Sequence, residues 1–410
     1  MILFIAWKNI WRNKARSIVI MSAISIGLFG GIFSYAFMMG GMLQRVDNAI
    51  KNETSSLQLH SLAFLLNADI NNNIAHPELY LKELNQIKEI EGSSDRLKST
   101  AMISTSYASF GVVLNGVFPD KERQVTKLYE TMMEGEYLKS EDQIPIVIGR
   151  KLAKKLNAEI GDKLVLSVPE INGDVAYGAF ILKGIYNTEN DMFDGVQAYI
   201  KKDDLASLVG VSKETTSEIA VSLYDTDLSE VITKSLQKKF ASEVKENKIV
   251  IRSWKEIDPT LNMMIASMDY FSWLFVGIIL LALAFGIVNT MLMVVLERVR
   301  EIGMLMAIGM NKLRIFMMIM WETIFLSITG GIVGMLISAA FIAYFQKYGL
   351  DLSAVAEGMN AYGINSIIYP EAPFSFYVEV SFMIMITAIL ASIYPALKAL
   401  SMHPAEAIRE

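Results

Sequence analysis

The placement of apolar residues constrains this chain more than any other feature. Long apolar runs fall at Ile18 to Met42 and then, close together, near Met268 to Leu296, Ile315 to Phe345 and Phe376 to Leu397. Each is about 20 residues or longer, and at 1.5 Å of rise per residue that crosses a hydrocarbon core of roughly 30 Å. Between the first and second lies a mostly polar stretch of about 225 residues, too long for a loop and large enough for a folded domain. The fold class this implies is an α-helical membrane protein with four transmembrane helices and an inserted α+β domain. Hydrophobic residues make up 53% of the 410, above soluble norms, and the spans account for the excess. The first run follows cations as a signal peptide would, but its apolar length exceeds the roughly 7–15 residues of a cleaved segment.

Charge gives the runs a direction. Lys8, Arg12, Lys14 and Arg16 precede the first run with no acidic residue among them, which by the positive-inside rule places residues 1–16 in the cytoplasm. The expected segments are then a first span at 17–42, an extracytoplasmic domain at 43–266, a second span at 267–296 and a cytoplasmic loop at 297–314. A third span at 315–345, an external loop at 346–375, a fourth span at 376–397 and a cytoplasmic tail at 398–410 complete the path. The external loop sets Lys347 against Asp351, Glu357 and Glu371, whereas Arg298, Arg300, Lys312 and Arg314 crowd the cytoplasmic one. Trp7 and Trp11, spaced i, i+4 among cations, read as a short helix at the headgroups, with a purely topogenic flank as the alternative.

Composition excludes several classes. With no cysteine there is no disulfide, thiolate nucleophile or cysteine zinc site, and His60, His76 and His403 are too scattered to make a metal centre expected. A net charge of −6 argues against nucleic acid as a partner. Neither a GxSxG elbow nor an HExxH helix is present, and Ser104, Ser106 and Ser109 read as strand or turn residues. Glu189, Asp191 and Asp194 gather between Asn187 and Gly195 without calcium-loop spacing, so that segment is expected to be a solvated acidic loop.

Within the inserted stretch, short alternating patterns predict strands at 56–60, 163–168, 179–185, 197–200, 219–223 and 248–251. Helices are expected after Pro77, through Ile148, Leu152 and Leu156 as far as Asn157, and from Leu228 to Phe240.

In the spans, Gly27 with Gly31 and Gly330 with Gly334 have GxxxG spacing, which lets helix backbones approach. Glu322 lies roughly two turns into the third run and is read as a buried or interfacial structural carboxylate, ahead of a proton-relay role. The loop segment Glu297 to Gly309 reads ERVREIGMLMAIG. If helical, it gathers Ile302, Leu305, Met306 and Gly309 on one face, away from Arg298, Arg300 and Glu301. Gly303, Ala307 and Gly309 keep the element slim, which suits docking into a partner's groove. No GxxxxGK[ST] phosphate loop is present, so any ATP-driven work would come from a partner subunit.

That segment, together with Leu326 to Gly334 and the ending Tyr394 to Leu400 with His403 to Arg409, resembles the MacB/FtsX-type permease superfamily. The pattern is an E(R)xREIGxxxAxG element after the second span and a YPAxxAxxxxPxxALR-like tail, with Ile408 here in the place of leucine. Within it, Leu57 to His60, Ile148 to Leu156, Ile160 to Leu166, Lys183 to Tyr186 and Phe193-Asp194 are similar to lipoprotein-releasing permeases of the Lol type. The resemblance implies a MacB-like periplasmic core domain and a location in the bacterial inner membrane. It also implies a non-catalytic subunit working with a cytoplasmic ABC ATPase, which would hold the ATP and magnesium, and with a second, identical or homologous, permease. Arg300 and Glu301 would be polar contacts to that ATPase, Ile302, Met304, Leu305 and Met306 apolar contacts, and Gly303, Ala307 and Gly309 close-approach positions. Lipoprotein cargo passed to a periplasmic carrier is the expected work. MacB-like efflux of peptides or toxic small molecules, and FtsX-like control of a cell-wall hydrolase, are the alternatives.

Overall fold

The computed structural model describes residues 2–12, 14–67 and 69–400, with the backbone alone for Ile2 and Arg16. The tail motif from His403 to Arg409, and with it most of the tail at 398–410, lies outside the described residues. The chain divides into two compact units: a membrane unit of 1–41, 265–351 and 367–410, and an inserted domain of 42–264 joined by 352–366.

Among the described residues, four helices are long and apolar enough to span a membrane: Lys14–Asn48, Pro259–Glu297, Lys312–Tyr348 and Phe374–Leu400. Each overruns the apolar stretch that announces it, because hydropathy marks what sits in hydrocarbon while backbone hydrogen bonding continues into polar sequence. The first runs on through Gln44, Arg45 and Asp47 and then loosens into a π-helical stretch, Ala49–Thr54, ended by Ser55 at φ 62°. The second begins at Pro259, with the Asp258 carboxylate accepting from Leu261 N at 2.9 Å. Asn311 caps the third by accepting from Leu313 N at 3.1 Å. In the membrane unit Ile24, Leu28, Ile32, Ile287, Ile315 and Ile384 are buried in one shared core.

The inserted domain is built on ten strands: β1 (Leu57–His60), β2 (Ile90–Ser104), β3 (Ser109–Val117), β4 (Met132–Gly135), β5 (Pro145–Gly149), β6 (Lys163–Pro169), β7 (Val175–Tyr186), β8 (Gln197–Lys201), β9 (Glu218–Leu223) and β10 (Val250–Ser253). The main path runs β10-β1-β9-β2-β3-β8-β5-β7-β4, and β6 pairs with both β2 and β7. Those last two pairings close a ring of β2, β3, β8, β5, β7 and β6 around Leu97, Ile103, Leu114, Leu166, Phe180 and Ile200. The N-terminal half of β2 instead joins β9, β1 and β10 in an open sheet. Helices Pro77–Leu84 and Ser229–Lys239 cover it through Tyr80, Leu84 and Leu236. β2 therefore belongs to both halves, antiparallel to β9 from Ile90 to Arg96 and to β3 from Leu97 to Ser104.

Several expectations need correction. Ile148 belongs to β5, and the helix begins only at Arg150, ending as expected at Asn157 in the left-handed region. The strand placed at 248–251 lies at Val250–Ser253. Residues 352–366 of the expected external loop pack within the domain's own unit, where Asn48 donates to Asn365 at 2.5 Å. The acidic segment is not a solvated loop. Asp194 is fully buried, accepts from the Thr188 amide at 3.1 Å and its hydroxyl at 2.7 Å, and Asp191 pairs with Lys151 at 2.7 Å. The reason is the short helix Asp191–Asp194, capped by Asn190, which turns these acids onto the domain.

Candidate coupling site on the membrane unit

The second span helix stops at Glu297 because Arg298, at φ −104° and ψ 13°, leaves helical geometry, and a short helix, Val299–Ala307, follows. This loop helix ends in a Schellman motif: Met310 N donates to Leu305 O and Gly309 N to Met306 O, both at 3.0 Å. Gly309 has φ +95°, which is why glycine stands there. A Cβ at Gly309 would meet open space within the chain, so here the glycine serves the left-handed helix cap.

One face of the loop helix is spoken for. Ile302 and Gly303 are buried, and Leu305 and Met306 pack against the span core. Of the expected face of Ile302, Leu305, Met306 and Gly309, the three apolar side chains pack on the chain's own helices and Gly309 is exposed, since the same apolar periodicity that suits a partner's groove also suits the membrane unit. Met304 (52% exposed) and Ile308 (85% exposed) face outward with Arg300, Ala307 and Gly309.

A chain of ion pairs fixes this arrangement. Arg298 Nη1 meets Glu322 of the third span helix at 3.1 Å, and its Nε meets Glu301 at 3.1 Å. Arg12, at the end of the N-terminal helix Ile2–Arg12, also pairs with Glu301. Partial burial raises the affinity of the Glu301 carboxyl for its proton, but hydrogen bonds from Arg12 and Arg298 outweigh it and hold the group below the usual carboxylate range. A polar cavity of about 250 Å³ lies among Asn9, Arg12, Ser17, Glu297, Arg298 and Glu322. Glu301 thus links the N-terminal helix to the loop helix while its side chain stays 44% exposed. Sequence reasoning missed Arg298 as the organiser, although an acid inside an apolar run demands a cation and Arg298 closes the preceding span.

The N-terminal helix seats Ala6 and Ile10 inward and leaves Leu3, Phe4, Trp7 and Trp11 exposed. Trp7 stands edge-on to Phe325 of the third span helix at 5.5 Å between centroids. The two GxxxG pairs behave differently. A Cβ on Gly330 would lie 2.9 Å from the Met21 carbonyl oxygen, and one on Gly334 3.0 Å from Ser25 Cα, so the first and third span helices approach closely there. On Gly27 it would meet Leu283 at 3.5 Å and on Gly31 Val380 at 3.6 Å, ordinary contacts.

Among the described residues, four helices of span length and composition, an inserted α+β domain and a capped amphipathic helix clamped on a short loop make up a membrane-protein architecture. Residues 273–404 match the family model described as FtsX-like permease C-terminal, which takes in the loop helix and both following spans. The lipoprotein-releasing system transmembrane protein LolC of Neisseria meningitidis serogroup B is 22% identical over 344 residues, covering 78% of this chain and 79% of that one. The macrolide export ATP-binding/permease protein MacB of Chlorobium luteolum is 23% identical over 422 residues, 98% of this chain and 59% of that protein. The periplasmic region of MacB from Actinobacillus actinomycetemcomitans aligns with 53% of this chain and 98% of its own at 14% identity, with a TM-score of 0.38. From the second span to beyond the fourth the chain is similar to FtsX-like permeases, and over most of its length to permeases of the LolC and MacB type, in keeping with the motifs of its loop helix.

Proposed function

We propose that this permease docks a separate ATPase on the outward face of the loop helix and transmits its motion to the external domain, so as to extract lipoproteins from the bacterial inner membrane. The observation that carries the docking half is the two-sided loop helix. Ile302 is buried and Glu301 is tied to Arg12 and Arg298, while Met304 and Ile308 stand exposed with Arg300 beside them. A helix held on one side moves the spans when pushed on the other. The crowding of Arg300, Lys312 and Arg314 around it supports a cytoplasmic position for this loop and for the N-terminal helix, with the domain on the opposite, periplasmic side.

ATP and magnesium belong to the partner ATPase in this reading, and a second permease, identical or homologous, completes the assembly. Lipoprotein cargo handed to a periplasmic carrier is supported by the similarity to LolC across most of both chains. Efflux of peptides or toxic small molecules is the second reading, supported by the similarity to MacB over 98% of this chain.

The docking claim is tested by replacing Met304 and Ile308 with Asp. Co-purification of the ATPase is expected to fall at least tenfold while insertion and elution of the permease stay unchanged, and undiminished co-purification would sink the claim. The cargo is tested in reconstituted vesicles, where ATP should release an acylated protein to a soluble acceptor; release without ATP, or none, speaks against lipoprotein transport.

A further inference from the structure

Between the N-terminal helix and the start of the third span helix lies a groove of about 580 Å³. Its walls are Leu3, Ile5, Met310, Met317, Met318 and Trp321, and among the described residues Arg314 is the one charged group in the lining. Met317 is 41% exposed and Leu3 47%, so the groove opens outward rather than into the core. Arg314 is exposed on the first turn of its helix, and among the described residues no carboxylate pairs with it. Lys312 precedes it by two residues.

Depth and surroundings narrow the occupant. From Arg314 to Trp321 the helix rises about 10 Å, the distance from a headgroup into the upper acyl chain. Trp321 and Trp7 both lie against Phe325, at 5.9 and 5.5 Å between centroids, an aromatic cluster of the kind that marks a membrane–water boundary. Water would not fill an apolar slot at that level, and three methionines give it walls that adapt to a flexible chain. With an arginine at the rim and no acidic residue among the described lining residues, the groove complements a phosphate and has no carboxylate to pair with an ammonium headgroup.

We infer that this groove binds an anionic phospholipid of the adjoining leaflet, its phosphate on Arg314 and an acyl chain along Met317, Met318 and Trp321. The lipid would be a structural wedge between the N-terminal helix and the third span, and it sits apart from the exposed face of Met304 and Ile308. The inference does not depend on the cargo or on an ATPase.

The full chain is reconstituted in vesicles carrying brominated phosphatidylglycerol or brominated phosphatidylcholine at equal mole fraction, and quenching of Trp321 is taken as the difference from Trp321→Phe. Quenching by the anionic lipid is expected to be at least twofold stronger. Arg314→Gln should erase that preference and Arg314→Lys should retain it. Equal quenching by both lipids, or a preference that survives in Arg314→Gln, would overturn the inference. Native mass spectrometry of detergent-released chain reads the same point without changing a tryptophan. One retained phosphatidylglycerol in the wild type, lost in Arg314→Gln, is the supporting result; equal retention in both proteins, or of phosphatidylcholine, counts against it.

Discussion

The Ser25 hydroxyl, on the first span helix, donates to the Gly330 backbone carbonyl of the third at 2.7 Å, where the two helices approach closely. Both groups are buried, and the bond is available only because the missing side chains of Gly330 and Gly334 let the backbones meet. The wild type and Ala variants are therefore expected to split by position. Gly330→Ala drives a methyl to 2.9 Å from a backbone oxygen that cannot swing away, and should cost about 1–3 kcal/mol. Gly31→Ala meets Val380 at an ordinary 3.6 Å and gains helix propensity, so it should be neutral or stabilising by up to about 1 kcal/mol. Thermal unfolding in detergent checks both; equal losses would mean that the close approach is not what the glycines serve.

Arg298 and Glu322 make the second prediction. Their side chains are 16% and 10% exposed, so their attraction is poorly screened, and each would leave the other only partly compensated if removed. A double-mutant cycle of Arg298→Gln and Glu322→Gln should return a coupling of about 1–3 kcal/mol. Zero coupling would reduce the pair to a surface contact. Loss of the pair should also loosen the loop helix, read as faster amide exchange in Val299–Ala307, because Arg298 holds Glu301 with its other nitrogen.

How much of this was legible beforehand depends on what each residue competes with. The spans were legible because nothing but hydrocarbon or a dry core accommodates four such runs, and Gly330 with Gly334 could be found by spacing alone. Gly27 with Gly31 has the same spacing and no tight contact, since spacing does not say which face a neighbour occupies. β2 was not legible: its residues from Gly92 to Leu97 are all buried, so no alternation survives, and Asp95 and Arg96 among them look like surface. Ile302 was read as a partner contact because an amphipathic face has one appearance in sequence whether its groove belongs to a partner or to the same chain.

Those buried charges of β2 carry a third prediction. Arg96 holds Glu122 through two bonds, at 2.6 and 3.0 Å, and Glu218 through a third at 2.7 Å, with Lys98 completing Glu218 at 3.0 Å. Arg96→Met would leave two buried carboxylates short of a partner and should destabilise the external domain by about 3–5 kcal/mol. Arg96→Met with Glu122→Leu should recover part of that loss, since one stranded charge goes with it. The calorimetric transition of the domain distinguishes the cases, and a double variant no better than the single one would mean that packing, not stranded charge, sets the cost.

Two buried groups of the same domain titrate in opposition. Burial pushes the Asp194 carboxyl up to about 7 against the hydrogen bonds of Thr188, so between roughly pH 4 and 7 the folded state holds a proton that the unfolded chain has released. Its contribution is fully present at low pH and is lost as pH rises through 7. Burial brings His60 down to about 4 despite the nearby Glu218, so between pH 6.5 and 4 it is the unfolded chain that takes the extra proton. That contribution is present above 6.5 and lost on acidification. Each effect amounts to ~2–4 kcal/mol if fully expressed, and in the shared window from pH 4 to 6.5 they oppose one another. Stability of the wild-type domain should therefore change little between pH 5 and 6.5. Asp194→Asn, whose amide oxygen can still accept from Thr188, should lose stability with acid over that range because His60 then acts alone, and should exceed the wild type above pH 7. His60→Gln should gain stability with acid over the same range. Domain melting temperatures at pH 5, 6.5 and 8 test the pair, and parallel profiles for the two variants would show that neither group is titrating as its burial requires.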